Sequence, residues 1–285
     1  MAKVGIIGGS GLYNIEGLES VKKIKVDTPF GEPSGMFITG TLDGKEVVFL
    51  PRHDEGHTIL PSELNYRANI YGMKKLGVDA IISISAVGSL KEELKPLDIV
   101  VIDQFVDRTN QARNTTFFGD GIVGHVAFAQ PICPDLAKKL YDSGCQLNVR
   151  MHNGGTYVNM EGPMFSTMAE SNLYRSWGMD VIGMTNMPEA RLSREAGICY
   201  ATLAMVTDYD CWHQSEEEVT IEMIIKNLSK NADNARKIVK KVVAKITDKK
   251  CCGCEDAARY AIVTRKDKIP QKKKRDLDII IGKYL

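Results

Sequence analysis

Residues 198–212 read ICYATLAMVTDYDCW, and this stretch decides the fold prediction. Residues 198–206 form a nearly continuous apolar run, which is typical of a strand buried on both faces. Asp208 and Asp210 follow, and because side chains alternate along an extended chain, both carboxylates point the same way. Ligands bind at the carboxyl ends of strands in open α/β sheets. The stretch predicts paired acids at a ligand site; the alternative is that Asp208 caps a turn and Asp210 is solvated.

The composition is that of an ordinary globular protein of 285 residues, with 44% hydrophobic and 26% charged residues. The net charge of +1 gives no general reason to expect nucleic acid or membrane surfaces as partners. No apolar run reaches the roughly 20 residues needed to cross a bilayer, and the N-terminus enters a strand pattern without a signal-peptide arrangement. We therefore expect a cytoplasmic protein that binds neither nucleic acid nor membranes.

The chain has seven cysteines, and their odd number without framework spacing favours a reducing compartment. Cys133, Cys145, Cys199 and Cys211 are scattered and are interpreted as small buried hydrophobic residues. Residues 251–254, CCGC, stand apart, but no second cysteine pair or nearby histidine completes a zinc-binding set in the sequence. We expect no metal site, and a cysteine cluster near solvent without a catalytic role.

A short apolar strand over residues 3–7 runs into GGSG at residues 8–11, a turn whose backbone amides are able to face an anion. The same turn raises the alternative of a dinucleotide-binding protein, which requires G-x-G-x-x-G at the start of a helix. Here Leu12, Tyr13 and Asn14 follow the second glycine of the motif, so the third glycine is missing. The dinucleotide alternative is therefore weakened but stays open.

Strand and helix patterns alternate along the rest of the chain. The predicted strands are 36–41, 45–50, 79–85, 98–103, 149–160 and 180–184, and the predicted helices are 61–76, 134–142, 167–177, 188–196 and 216–246. Thr167 and Glu170 match a capping box, and residues 108–130 predict a long functional or interfacial loop. The alternation predicts a single α/β domain with a central mixed β-sheet flanked by helices over residues 1–250. Residues 251–285 are expected to form a Cys-containing, Lys-rich extension that is mobile or lies at an edge.

Several predicted strand ends carry hydroxyl or cationic donors that would form a cage around one inorganic phosphate. These donors are Ser10, Arg52, His53, Ser85 and Thr185, with the backbone amides of Gly9 and Ala86. Hydrogen bonds to a charged partner contribute about 1.5–3 kcal/mol each, so four or five of them would hold a dianion. Phe165 and Met184 supply apolar surface beside the cage, near the two acids. This combination suits a phosphate next to a flat, nitrogen-rich ring.

Six motifs occur in an order that resembles the 5′-methylthioadenosine phosphorylases of the purine nucleoside phosphorylase family. They are GGSG 8–11, DTPFG 27–31, PRH 51–53, NYRAN 65–69, EGP 161–163 and TDYDCW 207–212. The resemblance spans about residues 3–245. It implies a homotrimer, or a hexamer, with no metal or organic cofactor and with inorganic phosphate as co-substrate. The implied reaction is a reversible pentosyl transfer in purine and methionine salvage, in which methylthioadenosine and phosphate give adenine and 5-methylthioribose 1-phosphate.

The resemblance also implies a role for each candidate residue. The implied phosphate ligands are Ser10, Arg52, His53, Ser85, Ala86 and Thr185. The implied nucleoside contacts are Phe165, Ile182, Met184, His57, Ile221, Ile224 and Ile225, with His125 supplied by a neighbouring subunit. Asp208 and Asp210 would hold the base at N7 and the exocyclic amine. Asp208 is the expected acid that protonates N7, and Asp210 is the alternative acid or the partner that orients Asp208. No role is assigned to Asn186, which stands where relatives often have a small hydroxyl residue.

Aspartate at position 208 favours a 6-aminopurine, because a carboxylate accepts a hydrogen bond from the amine and not from a 6-oxo group. The 6-oxopurine enzymes of the family carry asparagine there. An apolar 5′ lining favours methylthio over hydroxyl by only about 1–3 kcal/mol, so adenosine is expected as a slower substrate. A phosphorylase for adenosine or 6-oxopurine nucleosides, and a non-catalytic nucleotide-binding protein, remain as alternatives. Thermophilic relatives have a Cys-x-Cys element linked to disulfides, and Cys252-Gly253-Cys254 has that spacing.

Overall fold

The computed structural model describes residues 2–9, 12–110, 113–213, 221–247 and 252–285. The strands are β1 (Lys3–Gly8), β2 (Leu18–Ile24), β3 (Phe37–Leu42), β4 (Lys45–Pro51), β5 (Val78–Ser89), β6 (Ile99–Val101), β7 (Gln104–Arg108), β8 (Met151–Asn153), β9 (Thr156–Met160), β10 (Val181–Gly183) and β11 (Cys199–Tyr209). The helices are α1 (Tyr66–Lys75), α2 (Pro134–Cys145), α3 (Met168–Ser176), α4 (Asn186–Glu195), α5 (Ile221–Lys245), α6 (Gln271–Asp276) and α7 (Asp278–Ile281), with short 3₁₀ turns at Cys254–Asp256 and Gly282–Tyr284.

All eleven described strands belong to one mixed sheet, as the alternation of patterns predicts. Its main order is β2-β3-β4-β1-β5-β10-β9-β7, and β11 pairs with β5 and β6 while β6 also pairs with β8. The apolar run of β11 lies parallel to β5 and is buried from Cys199 to Thr207. Its continuous hydrophobicity is explained by this central position, where both faces of the sheet are covered.

The ladder around β5 leaves a gap on one side, and this gap determines where a ligand is able to bind. Strand β1 pairs with β5 only as far as Ser83, and β10 pairs with it from Gly88 onward. Strand β11 covers the opposite side of β5 along residues 80–89. Residues 84–87 of β5 therefore have backbone groups that neither β1 nor β10 uses in the described sheet, and they line a cavity.

Several element boundaries differ from the predicted ones for local reasons. Strand β11 continues to Tyr209, so Asp208 lies inside the strand instead of just past it. The first long helix begins at Tyr66 and not at residue 61, because the Asn65 side chain accepts a hydrogen bond from the N–H of Ala68 and caps it. The extended stretch 149–160 divides into β8 and β9 at Gly154 and Gly155, whose φ angles are positive. The capping box of Thr167 and Glu170 is confirmed.

The C-terminal extension packs against the body of the protein and does not form a mobile tail over its described part. Leu277 and Ile281 are fully buried and Ile280 is 3% exposed, all in the same hydrophobic core as the sheet. The lysine-rich helix α6 that precedes them has no buried residue. The composition therefore predicted the exposed half of the extension and missed the apolar half. Among the described residues, no helix combines the length and apolarity needed to span a bilayer.

Candidate active site

A cavity of about 360 Å³ opens at the gap beside β5, and it brings together most of the candidate residues. Its lining includes Arg52, His53, His57, Ser85, Ala86, Phe165, Ile182, Met184, Thr185, Asp208 and Asp210. Residue 10 and the side chains of residues 221 and 224 lie outside the described part of the chain. Ile225 is 59% exposed, and neither it nor His125 is among the described residues that line the cavity. Helix α5 contributes Leu228 and Ala232 instead of Ile225.

Arg52 forms a buried ion pair with Glu189, a residue that the sequence interpretation missed. Its Nε donates to Glu189 Oε1 at 2.5 Å and its Nη2 donates to Glu189 Oε2 at 3.2 Å, and the two side chains are 4% and 2% exposed. The Nε and Nη2 edge of the guanidinium is therefore directed to a carboxylate. Arg52 stays charged, because Glu189 raises the pKa of its guanidinium against the opposing effect of burial.

Glu189 is the centre of a buried polar network at the start of α4. Ser83 Oγ donates to its Oε2 at 2.7 Å and Tyr200 Oη donates at 2.9 Å. Asn186 Nδ2 donates to Ser83 Oγ at 2.9 Å. Asn186 thus has a structural function, which is to hold the hydroxyl that bridges Arg52 and Glu189. These hydrogen bonds hold the Arg52, Ser83 and Glu189 side chains in place beneath the cavity floor.

His53 is neutral near pH 7, which corrects the expectation of a cationic donor. Burial and the neighbouring charge of Arg52 lower the pKa of its imidazole to about 4. His53 Nδ1 lies 2.7 Å from the carbonyl oxygen of Ile59, and since a carbonyl only accepts, Nδ1 carries the hydrogen. Nε2 of the neutral ring is then an acceptor. His53 also stacks on His57, with ring centroids 4.3 Å apart.

Hydroxyl groups and backbone donors supply the rest of the anion-binding end. Thr185 is the N-cap of α4, is 5% exposed, and its side chain makes no capping hydrogen bond in the described structure. Thr185 also lines the cavity, so a helix N-terminus lies there, where backbone N–H groups and the helix dipole favour negative charge. Ser85 Oγ lies 3.4 Å from the buried Tyr157 Oη, which fixes its position on β5.

Asp208 is a partly buried carboxyl held at the opposite end of the cavity. A register shift between Val206 and Asp208 turns the strand there and places Asp208 opposite Gly88. A Cβ atom at Gly88 would lie 3.3 Å from Asp208 Oδ1, so the glycine makes room for the carboxyl. Thr207 Oγ1 donates to Asp208 Oδ2 at 2.6 Å. Burial raises the pKa of Asp208 to about 6, and the charge of Asp210 adds to the effect.

Asp210 lies beside Asp208 and keeps one oxygen without a partner. It is 8% exposed, and its Oδ2 makes no hydrogen bond within the described residues. Its backbone N–H donates to Ser89 O at 3.0 Å, which fixes the residue just beyond the end of β11. Burial raises the pKa of this carboxyl as well. An unpaired buried acceptor is costly, so a ligand N–H at this position would relieve the cost.

The wall between the two ends is apolar and is fixed by Arg113, a second residue that the sequence interpretation missed. The Arg113 side chain is 1% exposed and donates through Nη1 to Met184 O and through Nη2 to Glu161 O, both at 2.5 Å. Its Nε pairs with Glu161 Oε1 at 3.0 Å. Met184 is thereby held against the cavity, while Phe165 lies at its mouth and is 67% exposed.

We expect Gly183→Ala to destabilise the protein, because a Cβ at this position would lie 1.9 Å from the Oη of buried Tyr157. Overpacking of this kind costs about 1–3 kcal/mol. Urea unfolding should show a lower midpoint with an unchanged slope. The control is Gly9→Ala, where a Cβ meets no described atom within 4 Å. Equal stability of the two variants would contradict the assigned close contact.

The cavity combines hydrogen-bond donors, an apolar wall and paired acids, an arrangement able to accommodate a flat ring with N–H groups beside a small oxyanion. The family model described as the phosphorylase superfamily matches residues 3–244. The chain therefore belongs to the phosphorylase superfamily.

Individual relatives narrow this assignment to methylthioadenosine phosphorylases. The chain is 56% identical to an S-methyl-5′-thioadenosine phosphorylase from Geobacter sulfurreducens, over 99% of both chains. It is 49% identical to a methylthioadenosine phosphorylase from an Antarctic soil metagenomic library, with a TM-score of 0.94 over 98% of both chains. A Schistosoma mansoni methylthioadenosine phosphorylase in complex with adenine is 36% identical, with a TM-score of 0.84 over 94% of this chain and 100% of that chain.

Proposed function

We propose that this protein catalyses the reversible phosphorolysis of 5′-methylthioadenosine to adenine and 5-methylthioribose 1-phosphate. The observation that carries the proposal is the convergence in one cavity of Thr185, Ser85 and Arg52 with the raised-pKa acids Asp208 and Asp210. The names of relatives at 49–56% identity support the same substrate. No organic cofactor or catalytic metal enters the proposed reaction, in which phosphate is the attacking nucleophile.

The phosphate would bind at the end of the cavity that carries Thr185, Ser85 and the Ala86 amide, with Ser10 as a further ligand. The Arg52–Glu189 pair is close to neutral overall and forms a rigid floor. Arg52 Nη1 donates one hydrogen to Ile84 O at 3.0 Å, and its second hydrogen would be donated to the phosphate. Neutral His53 would accept a hydrogen bond from the phosphate hydroxyl through Nε2. The ion is then held by oriented hydrogen bonds more than by net charge, and such a site is already organised before the substrate arrives.

The purine would leave from the acid end. As the bond from the sugar C1′ to the base breaks, C1′ becomes cationic and is stabilised by the bound phosphate, which then adds to it. Electron density moves onto the purine, and a proton at N7 stabilises the leaving base. Asp208, with a pKa of about 6, is able to donate this proton, and Asp210 would accept from the exocyclic amine. Met184 would contact the ribose, and Ile182 and Phe165 the base.

The raised pKa of Asp208 predicts that activity falls as the pH rises above about 6. A carboxyl donates a proton only in its neutral form, which is populated below its pKa. We therefore expect kcat/KM for the nucleoside, at saturating phosphate, to decrease toward tenfold per pH unit between pH 7 and 8. Asp208→Asn should remove this limb of the profile. A kcat/KM that rises steadily from pH 5 to 8 in the wild type would contradict the acid role.

A base-release assay with methylthioadenosine, adenosine and inosine, each with and without phosphate, tests the proposed substrate. We expect methylthioadenosine to react fastest, adenosine to be about 5- to 200-fold slower, which corresponds to about 1–3 kcal/mol, and inosine to be the poorest. Inosine as the best substrate would establish the 6-oxopurine alternative. Release that does not depend on phosphate would exclude a phosphorylase.

We also infer a cytoplasmic homotrimer, or a hexamer built from it. Exposed apolar side chains lie along α3 and the residues next to it, near Phe165 of the cavity lining, and suit burial against another copy of the chain. They are Met164, Phe165, Met168, Leu173 and Trp177, with exposures between 42% and 79%. His125, whose backbone N–H donates to Ala261 O at 2.8 Å, would then complete a neighbour's 5′ subsite together with His57. Sedimentation analysis tests the subunit number.

A further inference from the structure

Four cysteines from separate parts of the chain meet at the opposite end of the sheet from the cavity. Cys133, Cys199, Cys252 and Cys254, here called the cysteine tetrad, have sulfur atoms that all lie within 4.8 Å of one another. Cys199 and Asp208 are nine residues apart in β11, about 30 Å at 3.3 Å per residue. The tetrad is therefore remote from the proposed chemistry. The sequence showed no second pair of ligands near residues 251–254. In the folded chain Cys133 and Cys199 supply that pair, so the expectation is wrong.

Secondary-structure ends and one tight bend position the members of the tetrad. Cys133 is the N-cap of α2, and its N–H donates to Tyr200 O at 2.8 Å, which ties the helix start to β11. Cys199 opens β11 beside Ala80 of β5. Gly253 adopts a φ of 66°, a left-handed conformation that bends the chain between Cys252 and Cys254. The bend lets both sulfurs reach the same point.

The chemistry of the tetrad is that of a closed structural zinc site. A tetrahedral Zn²⁺ with Zn–S bonds of about 2.3 Å needs its four sulfurs about 3.8 Å apart, and the Cys199 and Cys252 sulfurs are 3.3 Å apart. Cys133 is 1% exposed and Cys254 is 3% exposed, so water has little access to an ion held among the sulfurs. A small cavity of about 40 Å³ borders Cys133, Cys199 and Cys252 and offers a way in for an ion.

We propose that the cysteine tetrad binds one Zn²⁺ ion, which fastens the C-terminal segment to the core. All four sulfurs are mutually close, which favours a single central ion over two separate sulfur pairs. Four thiolates are soft ligands that select such metals over Mg²⁺ or Ca²⁺. Two of its four ligands, Cys252 and Cys254, lie beyond the region 3–244 that the superfamily model matches.

The contacts around the tetrad indicate what the ion would stabilise. A Cβ on Gly197 would lie 2.8 Å from Glu255 O, so the segment after the tetrad packs directly on the turn before β11. Tyr284 Oη donates to the same carbonyl at 2.9 Å. Further along, Val263 N–H donates to Val123 O at 2.9 Å, in the loop that also carries His125. Zinc would thereby hold the C-terminal segment and, through it, this loop.

The test begins with the full-length protein purified under reducing conditions without a metal-affinity tag. Elemental analysis should find about one zinc per chain, and the metal-free protein should take up Co²⁺ with the visible spectrum of tetrahedral thiolate coordination. Cys252→Ser and Cys254→Ser should each lower the zinc content at least tenfold. The matched control is Cys145→Ser, because Cys145 is exposed and lies outside the tetrad. A chelator should lower the melting temperature of the wild type and the control, and leave that of the two variants unchanged.

Substoichiometric zinc in the wild type together with an absent cobalt spectrum would overturn the proposal. So would disulfides among the four cysteines, detected by peptide mapping of alkylated protein without reduction. The cobalt titration uses unmodified protein, so the test stands even if a serine variant fails to fold. Phosphorolysis is measured separately, and its loss or retention does not decide the metal proposal.

Discussion

Asp208→Asn should lower kcat for adenine release from methylthioadenosine by about 10²- to 10⁴-fold, the usual contribution of a general acid. Asparagine matches aspartate in shape and is able to hydrogen bond the purine, but it has no proton to transfer to N7. Burial holds the pKa of Asp208 near 6, so the wild-type carboxyl is still partly neutral at pH 7. The measurement is initial-rate kinetics with separation of the released bases. A rate within twofold of wild type would remove Asp208 from the mechanism.

Two controls separate lost chemistry from lost structure in this variant. The folded-state pKa of Asp208 is raised above its unfolded value, so its contribution to stability is present at low pH and is lost as the pH rises toward 6. At pH 7 the ionised carboxylate therefore destabilises the fold, and Asp208→Asn should melt no lower than wild type. The variant should also show some hypoxanthine release from inosine, because an amide is able to pair with O6 and N7 together.

Glu189→Ala should destabilise the protein by about 3–5 kcal/mol, because removing one partner of a buried ion pair leaves an uncompensated charge. The charge left behind is that of Arg52, which is 4% exposed and pairs with Glu189 at 2.5 Å. Ser83 and Tyr200 lose an acceptor at the same time. Urea unfolding at pH 7 measures the change, with the slope checked for two-state behaviour.

Two further variants make this result specific. Arg52→Met combined with Glu189→Met should be less destabilised than Glu189→Ala, since removing both charges removes the unpaired one. Glu32→Ala is the matched control, because it breaks an ion pair with Lys25 that is largely exposed, and it should not measurably shift the midpoint. A double variant at least as unstable as Glu189→Ala would show that the charge pair is not the source of the effect.

Local signals in the sequence were sufficient to predict the mixed sheet and many of the residues that line the cavity. The apolar run of β11 and its two acids predicted a buried strand with carboxyls at a ligand site, and Asp208 and Asp210 both line the cavity. The alternation of strands and helices predicted the single mixed sheet, which is confirmed. These features could be predicted because the periodicity of a segment and the position of its end are determined by residues close together in the sequence.

The residues that sequence reasoning missed are those whose function depends on distant partners. Glu189 reads as an ordinary acid in the first turn of a helix, yet it neutralises Arg52, 137 residues away. Arg113 lies in a loop and binds Met184 O from 71 residues away. The cysteine tetrad joins residues whose spacing matches no zinc motif. For Glu189 one signal was available in the sequence. An acid in the first turn of a helix that is expected to be buried requires a cationic partner.

The central claim is that phosphate, and not water, attacks the sugar within a cavity that also grips the purine. The most direct test is to incubate methylthioadenosine with the purified protein and quantify adenine and the sugar product together, with and without phosphate. The account predicts one 5-methylthioribose 1-phosphate for every adenine, and negligible adenine when phosphate is omitted. Adenine formed at the same rate without phosphate, accompanied by free 5-methylthioribose, would contradict it.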